Sequence, residues 1–215
     1  WDAERDNPIV QLATMARKGE RIPFGNYGDN VCVIPRGGLS LSERKRVFLK
    51  ADQIICGRNI TRNALNKEIR EYKGISVDEP LPTDGEKVIC TLNDWGKPLD
   101  KEGKFHLVNG VIGKAYGVEE QLDDLATMEF QPDFLKERIR VPFDAGIFTN
   151  KEYSHYYGDK AVSFVDGTVA HENNFALLHR LKAVAEEPIA RFEFAYAITC
   201  HKAQGSEFDF VVVFA

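Results

Sequence analysis

No stretch of this 215-residue chain approaches the roughly 20 consecutive apolar residues that span a bilayer. Its start, Trp1-Asp2-Ala3-Glu4-Arg5, is polar and has no secretory-signal pattern. A membrane partner is therefore not expected. Cysteine is sparse: Cys32, Cys56, Cys90 and Cys200 form no Cys-x-x-Cys pair and have no His at zinc-binding spacing, so no metal site is expected. Three of the four lie in apolar, strand-like runs, which predicts buried free thiols in a reducing, cytoplasmic compartment. There is no low-complexity tract and no internal repeat. With 43% hydrophobic residues the chain can bury a core, which argues against wholesale disorder. The net charge of −5 excludes bulk attraction to nucleic acid, so any such contact must rest on locally placed cations. No paired-carboxylate, Ser-His-Asp or Cys-His arrangement stands out. Cys200 and His201 are adjacent, and in a strand they point to opposite faces.

What is present reads mostly as α/β. Residues 7–19 predict a helix marked at both ends. Asn7 is its N-cap, Pro8 its first turn and Gly19 its stop, with Ile9, Leu12, Ala13 and Ala16 on one face. Ser40 to Glu43 forms a capping box that opens a second helix. Gln53–Cys56 predicts a short strand, Gly57-Arg58-Asn59 a tight turn, and residues 61–72 a helix with Leu65, Ile69 and Tyr72 inward. Such a strand–loop–helix unit is typical of a parallel sheet. From Pro80 the texture changes to short strands with Gly-rich turns, including a hairpin signal at Asn109-Gly110 and a further strand at 125–130. That pattern predicts a small antiparallel barrel inserted into the α/β fold. A helical spacing recurs at Phe175, Leu178, Leu181 and Ala185. The polar start without Met and the finish inside an apolar run lead us to expect a piece of a longer protein.

The densest polar segment lies near the end. Residues 195–199 read as a strand, HKAQGSE as a loop, and FDFVVVF as a strand buried on both faces, with Val211, Val212 and Val213 consecutive. Gly205 permits close backbone approach to a ligand. Thr199, Ser206 and backbone N–H groups suit phosphate oxygens, Lys202 adds charge, and Glu207 accepts from sugar hydroxyls. A plain polar connection between core strands is the alternative.

The stretch YAITCHKAQGSEFDFVVV, Tyr196 to Val213, resembles motif V of superfamily 1 helicases. The resemblance is to the RecD-like and Dda-like branch, that of the exodeoxyribonuclease V alpha subunit. There an apolar run precedes T-x-H-K-[SA]-Q-G-S-E-[FW]-D and an apolar strand follows; Cys200 stands where Val is frequent, a mild change for a small buried side chain. Other segments follow in the family's order. DNPIVQLATMARKGERIPFG is similar to the helix after motif IV, and ADQIICGRNITRNALNKEIR to the next strand–loop–helix unit. GEKVICTLNDW with LVNGVIGKA is similar to the start of the inserted SH3-like barrel.

The resemblance implies an α/β, RecA-like second motor domain with a parallel sheet. Residues 1–84 would be its first part and 191–215 its second. Residues 85–190 would hold the SH3-like barrel, about 85–133, and an unassigned connecting segment. It implies ATP and Mg2+ in the full-length protein, single-stranded DNA as ligand, and the N-terminal RecA-like domain of the same protein as partner. A nuclease or a replication or recombination complex is a further implied partner, and translocation would run 5′ to 3′. Thr199, His201 and Lys202 would face the DNA strand; Gln204, Gly205 and Glu207 would face the nucleotide cleft. Asn59 and Arg62 at a helix N-terminus would hold a phosphate, with Asn59 or Thr61 as an ordinary cap and a solvated Arg62 as the alternative. Trp95 and Lys97, with Lys101 and Lys104, would stack on bases and meet the backbone, or form a solvated hairpin. His155, Tyr156, Tyr157 and Lys160 read as a packed loop, or as a second single-strand contact.

The departures bear on activity. There is no G-x-x-x-x-G-K-[ST] and no Walker B strand in a matching context. The arginine of motif VI would fall beyond Ala215, and the flanks of Arg5 do not match motif IV. The chain by itself is therefore predicted not to hydrolyse ATP. A non-catalytic module that binds single-stranded nucleic acid or a protein is the competing expectation. A Walker A upstream and an arginine motif downstream would distinguish the two.

Overall fold

The computed structural model describes residues 7–76, 78–120, 125–149 and 189–214. The chain divides into two compact units, residues 1–47 and 48–215.

In the first unit, helix α1 (Pro8–Lys18) begins where Asn7 Oδ1 accepts from Ile9 N–H at 2.9 Å and ends at Gly19, which adopts φ 70°. None of its residues is fully buried: Leu12 on its apolar face is half-buried and Ile9 is 62% exposed. A short antiparallel hairpin follows, β1 (Gly25–Tyr27) with β2 (Val31–Val33). Helix α2 (Leu41–Lys50) opens on the expected capping box. Ser40 N–H donates to Glu43 Oε2 at 2.9 Å and Glu43 N–H donates to Ser40 Oγ at 3.3 Å.

The second unit holds a parallel sheet and an antiparallel one. Strand β3 (Gln53–Cys56) leads into helix α3 (Asn59–Tyr72). At the chain's end come β11 (Ala197–Thr199), the single-turn helix α5 (Cys200–Ala203) and β12 (Val211–Phe214). The three strands lie in the order β11-β3-β12, both outer strands parallel to β3. β3 holds the central position and is mostly buried, and β11, although an edge of this sheet, is buried at Ala197 and Ile198. The run Val211–Val213, expected to be covered on both faces, is instead an edge, with Val213 69% exposed. Consecutive valines cannot distinguish a central strand from an edge one, because the signal is the residue type and not its neighbours.

Between these elements lie β4 (Lys87–Cys90), β5 (Asp94–Pro98), β6 (His106–Leu107), β7 (Ile112–Glu120), β8 (Leu125–Pro132), β9 (Ile139–Asp144), helix α4 (Gly146–Thr149) and β10 (Phe192–Phe194). Five of the strands form a sheet in the order β10-β4-β7-β8-β9, and β5 pairs with β6. Among the described residues there is no closed barrel, which corrects the SH3-like barrel expected over residues 85–133. Two of the five strands, β9 and β10, come from beyond residue 133. The nearest approach to closure is one bridge, where Asp144 N–H donates to Ala190 O at 3.0 Å and Ala190 N–H donates to Pro142 O at 2.9 Å. Short strands and Gly turns mark antiparallel pairing but not whether its edges meet.

The hairpin expected at Asn109-Gly110 is also different. The turn forms, with Val111 N–H donating to Val108 O at 3.1 Å, but β6 pairs with β5 while β7 pairs with β4 and β8. Gly113 is required where β7 crosses β8, since a Cβ there would lie 2.2 Å from Gln131 O. The core of this sheet gathers Phe130, Phe143 and Phe192, each fully buried, with ring centroids 4.9 Å (Phe130–Phe192) and 6.3 Å (Phe143–Phe192) apart. Such tilted and edge-on pairs are the favoured aromatic geometry.

All four cysteines are free; Cys56 and Cys90 are buried, whereas Cys32 and Cys200 are exposed. The helical spacing at 175–185 and the aromatic segment at 155–160 lie outside the described residues. Among the described residues no helix is long and apolar enough to cross a membrane.

Candidate nucleic-acid interface

The chain passes from the antiparallel sheet to the parallel one through Ala195 and Tyr196, between β10 and β11. Two buried amides hold this crossing. Gln53 Nε2 donates to Ala195 O at 3.0 Å and Tyr196 O at 3.1 Å, while its Oε1 accepts from Lys87 Nζ at 2.8 Å. Burial pulls the Lys87 ammonium below its ordinary pKa. Asn66, on α3, brackets Ala197. Its Oδ1 accepts Ala197 N–H at 2.8 Å and its Nδ2 donates to Ala197 O at 3.0 Å and to Phe194 O at 3.1 Å.

One turn further along α3, Arg70 donates from Nε to Glu86 Oε1 at 2.8 Å and from Nη2 to Glu86 Oε2 at 3.0 Å. Its guanidinium also lies 4.2 Å from the Phe194 ring centroid. Tyr196 Oη donates to the same carboxylate at 3.3 Å, and burial, reinforced by Glu86, raises the pKa of this phenol. These buried polar groups fix where β11 begins and therefore where α5 projects.

A cleft of about 520 Å³ opens beside this crossing. Asn59 and Arg62 line it from the start of α3; Thr199, His201, Lys202 and Gln204 line it from the end of β11 through α5. The antiparallel sheet and its turns add Thr91, Asn109, Gly110, Arg191 and Glu193, and α4 adds Ile147. The walls carry the cations Arg62, Arg191 and Lys202 and one carboxylate, Glu193. The local balance is thus positive in a chain whose net charge is −5, which is what anion binding requires. Two of those cations meet on the carboxylate: Arg62 Nη1 donates to Glu193 Oε2 at 2.5 Å and Lys202 Nζ donates to it at 3.0 Å.

Six of the residues singled out from the sequence therefore line one cleft: Asn59, Arg62, Thr199, His201, Lys202 and Gln204. The expected separation of Gln204 from the three before it is not seen. Gly205 and Glu207 do not line this cleft; they are exposed on the turn after α5, where Gly205 takes φ 86°. The solvated Arg62 of the alternative reading is not found, since this side chain is 6% exposed. Nor is Asn59 a cap: Arg58 holds the N-cap position, without a side-chain hydrogen bond, and Asn59 is the first helical residue. The stretch read as a loop begins as a helical turn, so Cys200 and His201 are not on opposite faces of a strand. Cys200, expected to be a small buried side chain, is exposed; its Sγ–H donates to Cys56 O at 3.4 Å.

Trp95 and Lys97 lie on β5 and do not line the cleft. Trp95 is 70% exposed, with its ring 6.2 Å from that of His106. Among the described residues no group of three or more His, Cys, Asp or Glu is placed to hold a metal ion.

Glu193 has no counterpart in the sequence reading. Its only signal is the alternation in Phe192-Glu193-Phe194, which puts the carboxylate on the face opposite two aromatic rings. Its partners lie 131 and 9 positions away.

Residues 194–215 match the UvrD-like helicase C-terminal domain family. That match spans β11, α5 and β12 and supports a superfamily 1 helicase. No curated protein matches the chain.

Proposed function

We propose that this chain contributes the C-terminal motor domain of a superfamily 1 DNA helicase or translocase, and that its cleft binds the sugar–phosphate backbone of single-stranded DNA. The observation that carries this is the convergence of Asn59 and Arg62 with Thr199, His201, Lys202 and Gln204 on one positively lined cleft, the last four lying within the segment that matches the helicase family. The N-terminus of α3 adds its partial positive charge to the same wall. A RecA-like arrangement fits the parallel order β11-β3-β12 with α3 following β3, and the RecD-like branch fits the Tyr196–Val213 stretch.

ATP and Mg2+ belong to this reading, and they set a limit on it. Gly205 and Glu207 are exposed outside the cleft, and open space lies where a Gly205 side chain would stand. A backbone N–H and a carboxylate offer a donor and an acceptor for a nucleotide but no cation for its phosphates. These residues suit one wall of a nucleotide site whose phosphate-binding groups come from another domain. The competing binding module draws on the lack of a Walker A motif within these residues, and predicts the same cleft without nucleotide dependence.

The test is fluorescence anisotropy of a labelled oligothymidylate at several salt concentrations. Binding should weaken as salt rises, with each phosphate contact contributing about −0.7 to the log–log slope. Lys202→Gln and His201→Ala should weaken binding while leaving the circular dichroism spectrum unchanged. A folded protein that shows no binding at low ionic strength would refute the reading.

A further inference from the structure

We infer that Glu193 is a built-in competitor of the nucleic-acid phosphate, a carboxylate that occupies the two cations a phosphate would use and so keeps binding weak and reversible. The inference rests on the single-strand reading of the cleft. Arg62 Nη1 and Lys202 Nζ converge on the same oxygen, Glu193 Oε2, at 2.5 and 3.0 Å. All three side chains are largely withdrawn from water, with exposures of 6% for Arg62, 16% for Glu193 and 22% for Lys202. All three nevertheless line the cleft.

A carboxylate oxygen and a phosphate oxygen present the same acceptor to a guanidinium or an ammonium. An entering phosphate therefore finds its two best donors already engaged, and it must share them or displace Glu193. The three charged groups come from α3, β10 and α5, so the carboxylate also fixes where both cations stand. Glu193 is thus a positioning residue whose charge subtracts from affinity.

Replacement by glutamine separates the two roles, since an amide oxygen still accepts from both donors but carries no charge. In the oligothymidylate assay, Glu193→Gln should bind about tenfold more tightly at low salt. Its salt slope should be steeper by about 0.7, the equivalent of one additional effective phosphate contact. Glu193→Asp retains the charge but shortens the reach to both cations, and should tighten binding to a smaller degree. It also serves if the glutamine variant does not fold. The double variant Glu193→Gln with Lys202→Gln should lose the gain. If the wild type binds and neither folded variant binds more tightly, Glu193 is only a structural ion-pair partner and the inference fails, while the single-strand reading stands. If neither wild type nor variants bind, both fail together. Binding by Glu193→Gln alone would refute the single-strand reading of the wild-type cleft, and with it the inference that Glu193 tunes a reversible contact.

Discussion

Asn66 pairs with Ala197 as an adjacent strand would, its carboxamide accepting the backbone N–H at 2.8 Å and donating to the backbone carbonyl at 3.0 Å. A side chain on a helix thereby replaces one rung of a sheet ladder, at the point where β11 leaves the crossing from the antiparallel sheet. Ala197 is wholly buried, so water cannot take over these bonds.

Asn66→Ala should therefore cost about 2–4 kcal/mol, because it leaves a buried N–H and two carbonyls with a lost partner. Asn66→Asp keeps the acceptor for Ala197 N–H but turns a carboxylate oxygen toward the carbonyls of Phe194 and Ala197, and should be at least as damaging. Urea unfolding of the three proteins measures this. A loss under about 0.5 kcal/mol for the alanine variant would show that the clamp is geometric only.

How much of this was legible depends on distance along the chain. Asn7, Gly19 and the Ser40–Glu43 box declare their helix ends because each acts within four residues of itself. The β3–α3 unit and the parallel strands at the end were legible for the same reason, as apolar runs bounded by turn residues. The Asn109-Gly110 turn was legible, but the strands it joins take other partners. Strand β10 was invisible as a sheet member, since its pairing with β4 spans a hundred residues. Within the cleft, the sequence nominated the residues whose chemistry fits a phosphate or a base, and it missed the acid that engages two of them. It also assigned no role to Asn66 and Arg70, which are scaffold groups.

Arg70 and Glu86 form the second test of that scaffold. The side chains are 10% and 2% exposed, and the pair is bidentate. Breaking it from one side strands a buried charge, so Arg70→Met should destabilise by about 3–5 kcal/mol. Glu86→Gln keeps a hydrogen-bond acceptor but leaves the guanidinium uncompensated, and should also destabilise. The double variant Arg70→Met with Glu86→Leu should be less destabilised than the sum of Arg70→Met and Glu86→Leu, because no charge is then left buried. Thermal melts of these variants give the coupling; strict additivity would mean that the two groups act independently.

Alkaline pH titrates the buried acids of the fold. Burial raises the Cys90 thiol from 9 to about 11, and raises Cys56 in the same direction. Tyr196 is raised as well, by burial first and Glu86 second. For each of these the folded protein holds a proton that the unfolded chain gives up, so stability is whole below pH 9 and falls as pH climbs through the folded pKa. Lys87 runs the other way. Its folded pKa lies below 10.5, so up to that value the unfolded chain binds more protons and rising pH favours folding. Three groups act against one, and stability should fall above pH 9, with Cys90 alone accounting for about 2 kcal/mol by pH 11. Cys90→Ala should flatten the fall whatever it does to stability at pH 7, which separates titration from packing. Urea midpoints at pH 8, 9 and 10 measure the slope, and equal slopes in the two proteins would refute it. Thiol labelling of the native protein at pH 8 gives an independent check. Cys32 and Cys200 should react quickly, and Cys56 and Cys90 only at the rate at which the fold opens.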